Sequence, residues 1–397
     1  MIYISSYEFW KQYIKDITKQ LEKLLKSKKE YILADLHIHS NYSCDGMQTL
    51  KQILMFASEK KLDVISITDH DSISVYNELP KEIEILKKKG YKLPIIIPGV
   101  EFSVRFDEYG SMCHILKYFI NPFDPIIIEE INRNYKAYWN RAEIQIDRLK
   151  YNKAVMSYFR PNSIKVSIND FKEFLYNNYK IPIPEYNSIA EYIFSKLNSV
   201  GVNVSDVLEK SILINNEDKC IVRRDLKKLA FNRFINKYKG CNINNSKYLL
   251  PILSVPNIDD EEFINFDSSG NLSVNNYGQI RFEDLNRKYI TVFAHPNENK
   301  LEILSKYFYQ NQIVDGIEIN KRNRHCEKDK ILKFVRSHNM FYTIGSDDHG
   351  DHLYTYEDIN YYKLNSIEFK KILKLVMRRE ELWPILIKVV STLTQEI

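Results

Sequence analysis

The stretch ILADLHIHS, residues 32–40, joins an apolar run to two histidines and decides how the rest of the chain is interpreted. Ile32–Ile38 is strand-like, because a short apolar run bounded by polar residues is typical of a buried strand. Side chains two residues apart point to the same face of a strand, so His37 and His39 can reach one ion together. Asp45 follows shortly afterwards and adds a carboxylate. The stretch therefore predicts a buried strand that ends in possible metal ligands.

The alternation of strand-like and helical segments continues on both sides of a long interruption. Helical patterns at Thr49–Lys60 and Ser72–Lys89 separate the early strands, and Leu301–Gln310 and Glu327–His338 separate the late ones. Such alternation favours β/α units with a parallel sheet. The strand-like runs are Ile32–Ile38, Val64–Thr68, Ile95–Val100, Met112–Ile120, Ile290–Ala294, Ile313–Ile319 and Phe341–Gly345. We therefore expect an α/β barrel interrupted by a long, mainly helical insertion.

These patterns divide the chain into five segments. Residues 1–30 read as an amphipathic helix, which more often packs on the main domain than binds a partner. Asp124-Pro125 is a good helix start, because Asp caps helices and Pro suits the first turn. We expect the barrel at 31–125 and 286–352, the helical insertion at 126–285, and C-terminal helices at 353–397.

Histidines and carboxylates gather where most of the predicted strands end. In a β/α barrel these ends converge on one mouth, where active sites lie. A lone His-x-His or His-Pro is more often incidental, but burying many ionisable groups together is costly unless they are paired or bind metal. Imidazole and carboxylate suit Zn, Mn or Fe(II), and so many ligands suggest two or three divalent ions. The candidate ligands are His37, His39, Asp45, His70, Glu101, His114, His295, Asp347 and His349.

The composition excludes several other classes of protein. Glycine is scarce, 11 of 397 residues, and no G-x-G occurs, so a dinucleotide-binding fingerprint is absent. The net charge of +5 is too small a bias to predict nucleic-acid binding by itself. Five cysteines without a C-x-x-C motif fit a reducing compartment. No apolar stretch is long enough to span a membrane, so we expect a cytoplasmic protein without a membrane partner.

The motifs together resemble the PHP domain, that of the polymerase and histidinol phosphatase superfamily of metal-dependent phosphoesterases. The resemblance covers roughly 31–125 and 286–352 and suits the bacterial branch that acts on nucleotide phosphates and RNA 5′ ends. It implies a distorted (β/α)7 TIM-like barrel with a trinuclear metal centre. The motifs that carry it are Asp35–Ser40 with Asp45-Gly46, Ile67–Asp71, Gly99–Glu101, His114–Leu116, Ala294–Pro296 and Gly345–Gly350.

The resemblance also implies which residues hold each ion. The first ion would bind His37, His39, Glu101 and Asp347. The second would bind Glu101, His114 and His295, with Glu101 bridging the two. The third would bind Asp45, His70 and His349. A hydroxide held between ions would then attack a phosphomonoester in line.

Two further residues are candidates for roles in catalysis. Asp69 could orient His70 or a neighbouring ligand, with a helix N-cap as the alternative. His325 resembles a histidine of the family and could contact substrate or donate a proton, with a surface position as the alternative.

Arginines on a predicted helix are candidates for binding the substrate phosphate. Arg133, Arg141 and Arg148 share one face, and Asn140–Ala142 resembles the arginine-bearing helix of the nucleotide-active branch. A solvated face is the alternative. Residues 185–190 lack the Arg and His that this branch often has in the corresponding segment. Their absence indicates either a different substrate or that other residues bind the phosphate.

We therefore expect a phosphoesterase acting on a nucleotide or a nucleic-acid 5′ end. Its partner would then be a phosphorylated small molecule or such a 5′ end. One alternative is a small-metabolite phosphatase of the histidinol-phosphatase type. Another is a nucleic-acid-processing or binding module, in which the barrel is ancillary to the N-terminal helix and the insertion.

Overall fold

The computed structural model describes residues 5–43, 46–106, 111–149, 165–184, 188–189, 192, 195–196, 199, 278–296, 301–302, 304, 314–320, 325–350 and 359–379. The chain forms two compact units, of which the first comprises residues 1–132 and 280–397 and the second comprises 133–279. The five-segment division stays a prediction, although the second unit begins inside the helix that starts at Pro125.

The first unit contains an eight-stranded sheet in the order β7-β6-β5-β4-β3-β2-β1-β8. Its strands are β1 Tyr31–Ile38, β2 Val64–Ile67, β3 Ile95–Phe106, β4 Ser111–Tyr118, β5 Ile290–Phe293, β6 Gly316–Asn320, β7 Phe341–Gly345 and β8 Lys363–Asn365. The described helices of this unit are α1 Ser5–Lys26, α2 Leu50–Glu59, α3 Leu79–Lys88, the start of α4 Pro125–Leu149, α6 His325–Ser337 and α7 Ser366–Arg378, while α5 Ile168–Asn178 lies in the second unit.

The ring of strands closes between β1 and the segment that follows β7. The His39 N–H donates to the Asp348 carbonyl at 2.9 Å, and the Asp347 N–H donates to the His37 carbonyl at 2.8 Å. Gly345 permits this approach, because a Cβ atom there would lie 2.3 Å from the Cβ of His37. The distorted TIM-like barrel of seven strands is confirmed, with β8 added antiparallel on the first half of β1.

β4 runs antiparallel to both of its neighbours, which differs from the parallel units that the sequence indicates. The chain returns on itself after β3, so Phe106 pairs with Ser111 and Ser103 with His114. β3 therefore extends well past its predicted end at Val100. An antiparallel strand brings its amino end to the edge where parallel strands have their carboxyl ends. This reversal places His114, early in β4, at the same mouth as the other histidines.

The N-terminal helix α1 packs on the first unit. Trp10 is 2% exposed and meets the Tyr76 ring edge-on, with ring centroids 5.5 Å apart. The Tyr13 hydroxyl donates to the Ile96 carbonyl of β3 at 3.0 Å. Ile17 and its neighbours on the same helix face are buried. These contacts favour packing over a partner-binding role for α1.

Most of the predicted helices form close to their expected positions. Thr49 and Gln52 form a reciprocal capping box at the start of α2, which ends one residue before its predicted end. The helix expected at 301–310 lies almost wholly outside the described residues. Among the described helices, none is both long enough and apolar enough to cross a membrane.

Asp124 caps α4 and also ties it to the segment before β5. One carboxylate oxygen accepts the Ile126 N–H at 3.0 Å, and the other accepts Lys288 Nζ at 2.7 Å and the Tyr289 hydroxyl. Burial alone would raise the pKa of the Asp124 carboxyl, but the hydrogen bonds from Lys288 and Tyr289 hold it below its ordinary value.

We expect Asp124→Asn to reduce the free energy of unfolding at pH 7 by about 1–3 kcal/mol, the usual cost of leaving buried partners poorly satisfied. A carboxylate with a depressed folded pKa stabilises the protein above its unfolded pKa of about 3.9 and loses that contribution as the pH falls further. Urea unfolding at pH 7 and at pH 3 should therefore show the difference between the two proteins shrinking in acid. An equal difference at both pH values would contradict the role of the charge.

Candidate metal centre

The carboxyl end of β1 places two fully buried imidazoles side by side. The Nε2 atoms of His37 and His39 lie 3.0 Å apart, as the alternation of side chains along a strand requires. The Nδ1 atom of His37 lies 2.8 Å from a carboxylate oxygen of Glu318. Because a carboxylate can only accept, Nδ1 carries the proton and the Nε2 lone pair of His37 faces the cluster.

Glu101 on β3 lies at the middle of the histidines and is fully buried. Its Oε2 atom lies 3.0 Å from His37 Nε2, 3.1 Å from His39 Nε2 and 3.2 Å from His70 Nδ1. Its Oε1 atom lies 3.1 Å from His114 Nδ1 and 3.3 Å from His295 Nε2. One carboxylate thus divides its two oxygens between two groups of imidazoles.

Asp347 and His349 follow β7 and complete the cluster of candidate ligands. They lie where the barrel closes against β1. The Oδ1 atom of Asp347 lies 3.4 Å from His37 Nε2 and 3.2 Å from His39 Nε2. The His349 ring stacks on His39 with centroids 4.1 Å apart. Its Nδ1–H donates to the Asp347 carbonyl at 2.8 Å, which leaves Nε2 as the ligand atom of that ring.

These atoms fit a divalent cation. His37, His39, Glu101 and Asp347 each offer one ligand atom within 4.8 Å of the others. The separations given above between the two Nε2 atoms, Glu101 Oε2 and Asp347 Oδ1 run from 3.0 to 3.4 Å. A tetrahedral ion with bonds of about 2.0–2.1 Å has ligand atoms roughly 3.3–3.4 Å apart. Lone pairs of nitrogen and oxygen that face each other this closely repel unless a cation or proton lies between them. The donor set therefore suits an ion such as Zn²⁺ or Mn²⁺.

The pKa values of the candidate ligands depend strongly on the neighbouring charges in the cluster. Complete burial alone would raise the pKa of the Glu101 carboxyl, but His37, His70 and His114 hold it well below its ordinary value. Burial alone would lower the pKa of His39, but hydrogen bonds to Asp347 and Glu101 raise it to about 9. Protons and metal ions compete for such ligands, so metal binding here would release protons.

Three residues near the same mouth have an unusual backbone conformation. Asp71, His295 and Asp347 follow β2, β5 and β7 and have φ values of 46°, 30° and 53°. Residues other than glycine seldom adopt this left-handed region, and such strain often accompanies functional sites. The chain therefore turns sharply after these strands, and two of the turns carry the candidate ligands His295 and Asp347.

The described residues form three overlapping groups of possible ligands. One group, His37, His39, Glu101 and Asp347, has the same members as the predicted first site. A second contains His70, Glu101 and His114, and a third contains His39, His70 and His349. His295 approaches Glu101 beside His114, whereas Asp45 lies outside the described residues. The assignment of each residue to a particular ion stays a prediction.

Asp69 acts on the loop that follows His39. Its carboxylate accepts the Ser40 N–H at 2.6 Å and the Ser40 hydroxyl at 2.7 Å, and the residue is fully buried. The sequence predicts that Asp69 orients His70 or a neighbouring ligand. These bonds support a positioning role next to His39.

The other predicted residues belong to the second unit or have side chains outside those described. His325 begins α6, but its side chain is not among those described. In the second unit, Arg141 donates to the Pro184 carbonyl at 3.1 Å and lies over the Tyr138 ring. Arg133 Nε donates to the Gly278 carbonyl at 3.2 Å.

Sequence reasoning missed the part that Glu318 and Asp35 play around the ligands. Glu318 bonds His37, and Asp35 accepts the Ser346 N–H at 2.9 Å, next to Asp347. Both are carboxylates inside apolar strand runs, and buried charges are rare unless they have partners. A carboxylate within an apolar strand run was therefore the feature of the sequence that could have identified Glu318 and Asp35.

The fold and this set of ligands define a metal-dependent hydrolase built on an α/β barrel. Residues 35–200 match the profile of the PHP domain, and that segment begins at the aspartate of the first motif. This match confirms the resemblance to the PHP domain that the motifs indicate.

Two solved structures match this chain, the first of them with the higher TM-score. A protein of Bifidobacterium adolescentis, provisionally assigned as a metal-dependent phosphoesterase, is 17% identical, with a TM-score of 0.50 over 86% of this chain and 95% of that one. An amidohydrolase from Chromobacterium violaceum, solved with bound sulfate and no metal, is also 17% identical, with a TM-score of 0.42 over 85% of this chain and 99% of that one. A comparison with curated proteins gives no match.

Proposed function

We propose that this chain is a metal-dependent phosphoesterase that hydrolyses a phosphomonoester, namely a nucleotide or the 5′ end of a nucleic acid. The observation that carries the proposal is the division of the Glu101 oxygens, with His37, His39 and His70 on one and His114 and His295 on the other. A carboxylate placed in this way suits a bridge between ions, which is the arrangement of many phosphatases.

We assign the centre to three ions of Mn, Zn or Fe, with the ligands that the family resemblance implies. The first site would use His37, His39, Glu101 and Asp347, whose ligand atoms converge. The second would use Glu101 with His114 and His295, and the third would use His70 and His349 with Asp45. Such ions acidify a water molecule into a nucleophile and neutralise the charge that develops on phosphate oxygens.

The side chains define the direction from which substrate enters. The His114 side chain is 30% exposed and those of His70 and His295 are each 10% exposed, whereas His37 and Glu101 are fully buried. We propose that the phosphate group approaches on the side of these three histidines. Asp69 holds Ser40 and so keeps His39 in place, and we assign His325 as the proton donor or substrate contact.

We also propose Arg133 and Arg141 as contacts for the substrate phosphate or its neighbour. The Arg141 guanidinium is held by the Pro184 carbonyl and by the Tyr138 ring, which restricts its motion. A restrained guanidinium loses less freedom on binding phosphate than a mobile one.

A phosphate-release screen of the metal-loaded protein tests the proposed reaction. The panel contains nucleoside monophosphates, 3′,5′-bisphosphates, 5′-phosphorylated oligonucleotides and histidinol phosphate, and the bound metal is measured beside it. We expect release from a nucleotide or an oligonucleotide 5′ end. His39→Ala and Asp347→Ala should each lower kcat/KM by about 10³-fold, since several kcal/mol of transition-state stabilisation are lost.

The screen also decides between the alternatives. Release from histidinol phosphate alone would favour the small-metabolite phosphatase, and salt-sensitive binding of single strands without turnover would favour a binding module. Unchanged turnover in both His39→Ala and Asp347→Ala would exclude the proposed site. In Arg141→Ala, a higher KM with unaltered kcat is the expected sign of a lost substrate contact.

A further inference from the structure

Glu318 is a fully buried carboxylate on β6 that contacts two different parts of the centre. Its Oε1 atom accepts from His37 Nδ1 at 2.8 Å, and its Oε2 atom accepts the backbone N–H of His295 at 2.8 Å. Asn320 Nδ2 adds a longer bond to Oε2 at 3.4 Å. Glu318 thus joins a side chain of β1 to the backbone that follows β5.

Each of the two short bonds fixes something that a metal ligand needs. The bond to His37 sets its tautomer, so that Nε2 rather than Nδ1 faces Glu101 and Asp347. The bond to the His295 N–H holds a residue whose φ of 30° is unfavourable for a side-chain-bearing residue. Carboxylates accept only, and each of the two Glu318 oxygens accepts one of these short bonds.

The packing around Glu318 leaves space for this pair. A Cβ atom on Gly345 of β7 would lie 2.5 Å from Glu318 Oε1 and 2.3 Å from the Cβ of His37. The absence of a side chain at Gly345 therefore admits the bond between Glu318 and His37.

We propose that Glu318 is a positioning residue that orients His37 and His295 as one unit, so that its loss weakens metal binding at both. The inference rests on the ligand roles proposed above for these two histidines. A purely structural role is the competing explanation, because a buried carboxylate with two donors would stabilise any barrel.

The test is Zn²⁺ binding to the metal-free full chain, measured by competition with a chromophoric chelator. Glu318→Gln keeps the size of the side chain, but its amide NH2 cannot accept, so one of the two donors loses its partner. We expect the affinity for Zn²⁺ to fall by 10–100-fold, as is typical when the partner of a ligand histidine is removed.

Glu130→Gln is the matched control. Glu130 is also a buried carboxylate with two donors, Lys117 Nζ at 2.5 Å and the Asn286 N–H at 3.0 Å, but neither donor belongs to the centre. We expect this variant to lose stability and to bind Zn²⁺ as the wild type does. If Glu318→Gln fails to fold, Glu318→Asp keeps the charge but is too short for both bonds and should give the same loss.

The possible outcomes separate this inference from the proposed function. Wild-type affinity for Zn²⁺ in a folded Glu318 variant, or an equal loss in Glu130→Gln, would overturn the positioning role. A wild-type chain that binds Zn²⁺ but hydrolyses none of the phosphate esters would overturn the proposed function alone. A wild-type chain without affinity for Zn²⁺, Mn²⁺ or Fe²⁺ would overturn both.

Discussion

Glu101→Gln is expected to abolish hydrolysis and to reduce the number of metal ions bound per chain. The substitution preserves the shape of the side chain, but it replaces an oxygen that faces imidazoles with an amide group that cannot bind a cation. Because the two oxygens serve separate groups of histidines, both groups should lose affinity at once. We expect kcat/KM to fall by at least about 10³-fold, with circular dichroism unchanged.

The matched control for this prediction is Glu84→Gln. Glu84 lies on the surface of α3, where it pairs with Lys88 at 2.5 Å, and exposed pairs of this kind contribute little. This variant should keep wild-type turnover and metal content, both of which are measurable by phosphate release and elemental analysis. Full metal occupancy with normal turnover in Glu101→Gln would show that the carboxylate does not bridge ions.

Removing the metal with a chelator is expected to stop turnover and to lower the melting temperature of the wild type. A ligand present at about 1,000 times its Kd stabilises the folded state by about 4 kcal/mol. For a barrel of this size each kcal/mol corresponds to about 2–4 °C, so the shift should be roughly 10 °C. Differential scanning calorimetry before and after chelation measures it, and added Mn²⁺ or Zn²⁺ should restore both properties.

The same measurement on Glu101→Gln provides an internal check. With its sites weakened, that variant should melt at nearly the same temperature with and without the chelator. If chelation shifted both proteins equally, the ion responsible would lie elsewhere in the molecule.

The strands and the candidate ligands could be predicted because both leave local marks in the sequence. The apolar runs before His37 and before Glu101 each indicate a buried strand, although β3 continues past Glu101 to Phe106. The direction of β4 could not be predicted in this way, since reversal depends on the pairing of Phe106 with Ser111 rather than on composition. The sequence therefore predicts His114 as a candidate ligand, but it does not show that the reversed direction of β4 places this residue at the mouth of the barrel.

The contacts around the ligands were harder to predict, because they join residues far apart in the chain. Glu318 and His37 are separated by 281 positions, and nothing local to either residue shows that they meet. Asp69 is a candidate from the sequence, but its two bonds to Ser40 depend on how the loop after β1 folds back. Periodicity shows which face is buried, whereas only the closed sheet shows which polar groups meet there.

The closure of the ring at His37 and Asp347 has a consequence for how the protein matures. These residues lie 310 positions apart (from 37 to 347), and their backbones bond directly at the seam. A nascent chain that ends before β7 carries most of the histidines but has no completed barrel to hold them in register. Capture of ions should therefore wait until synthesis has passed the last strand, and fragments that stop short of residue 345 should neither retain metal nor fold cooperatively.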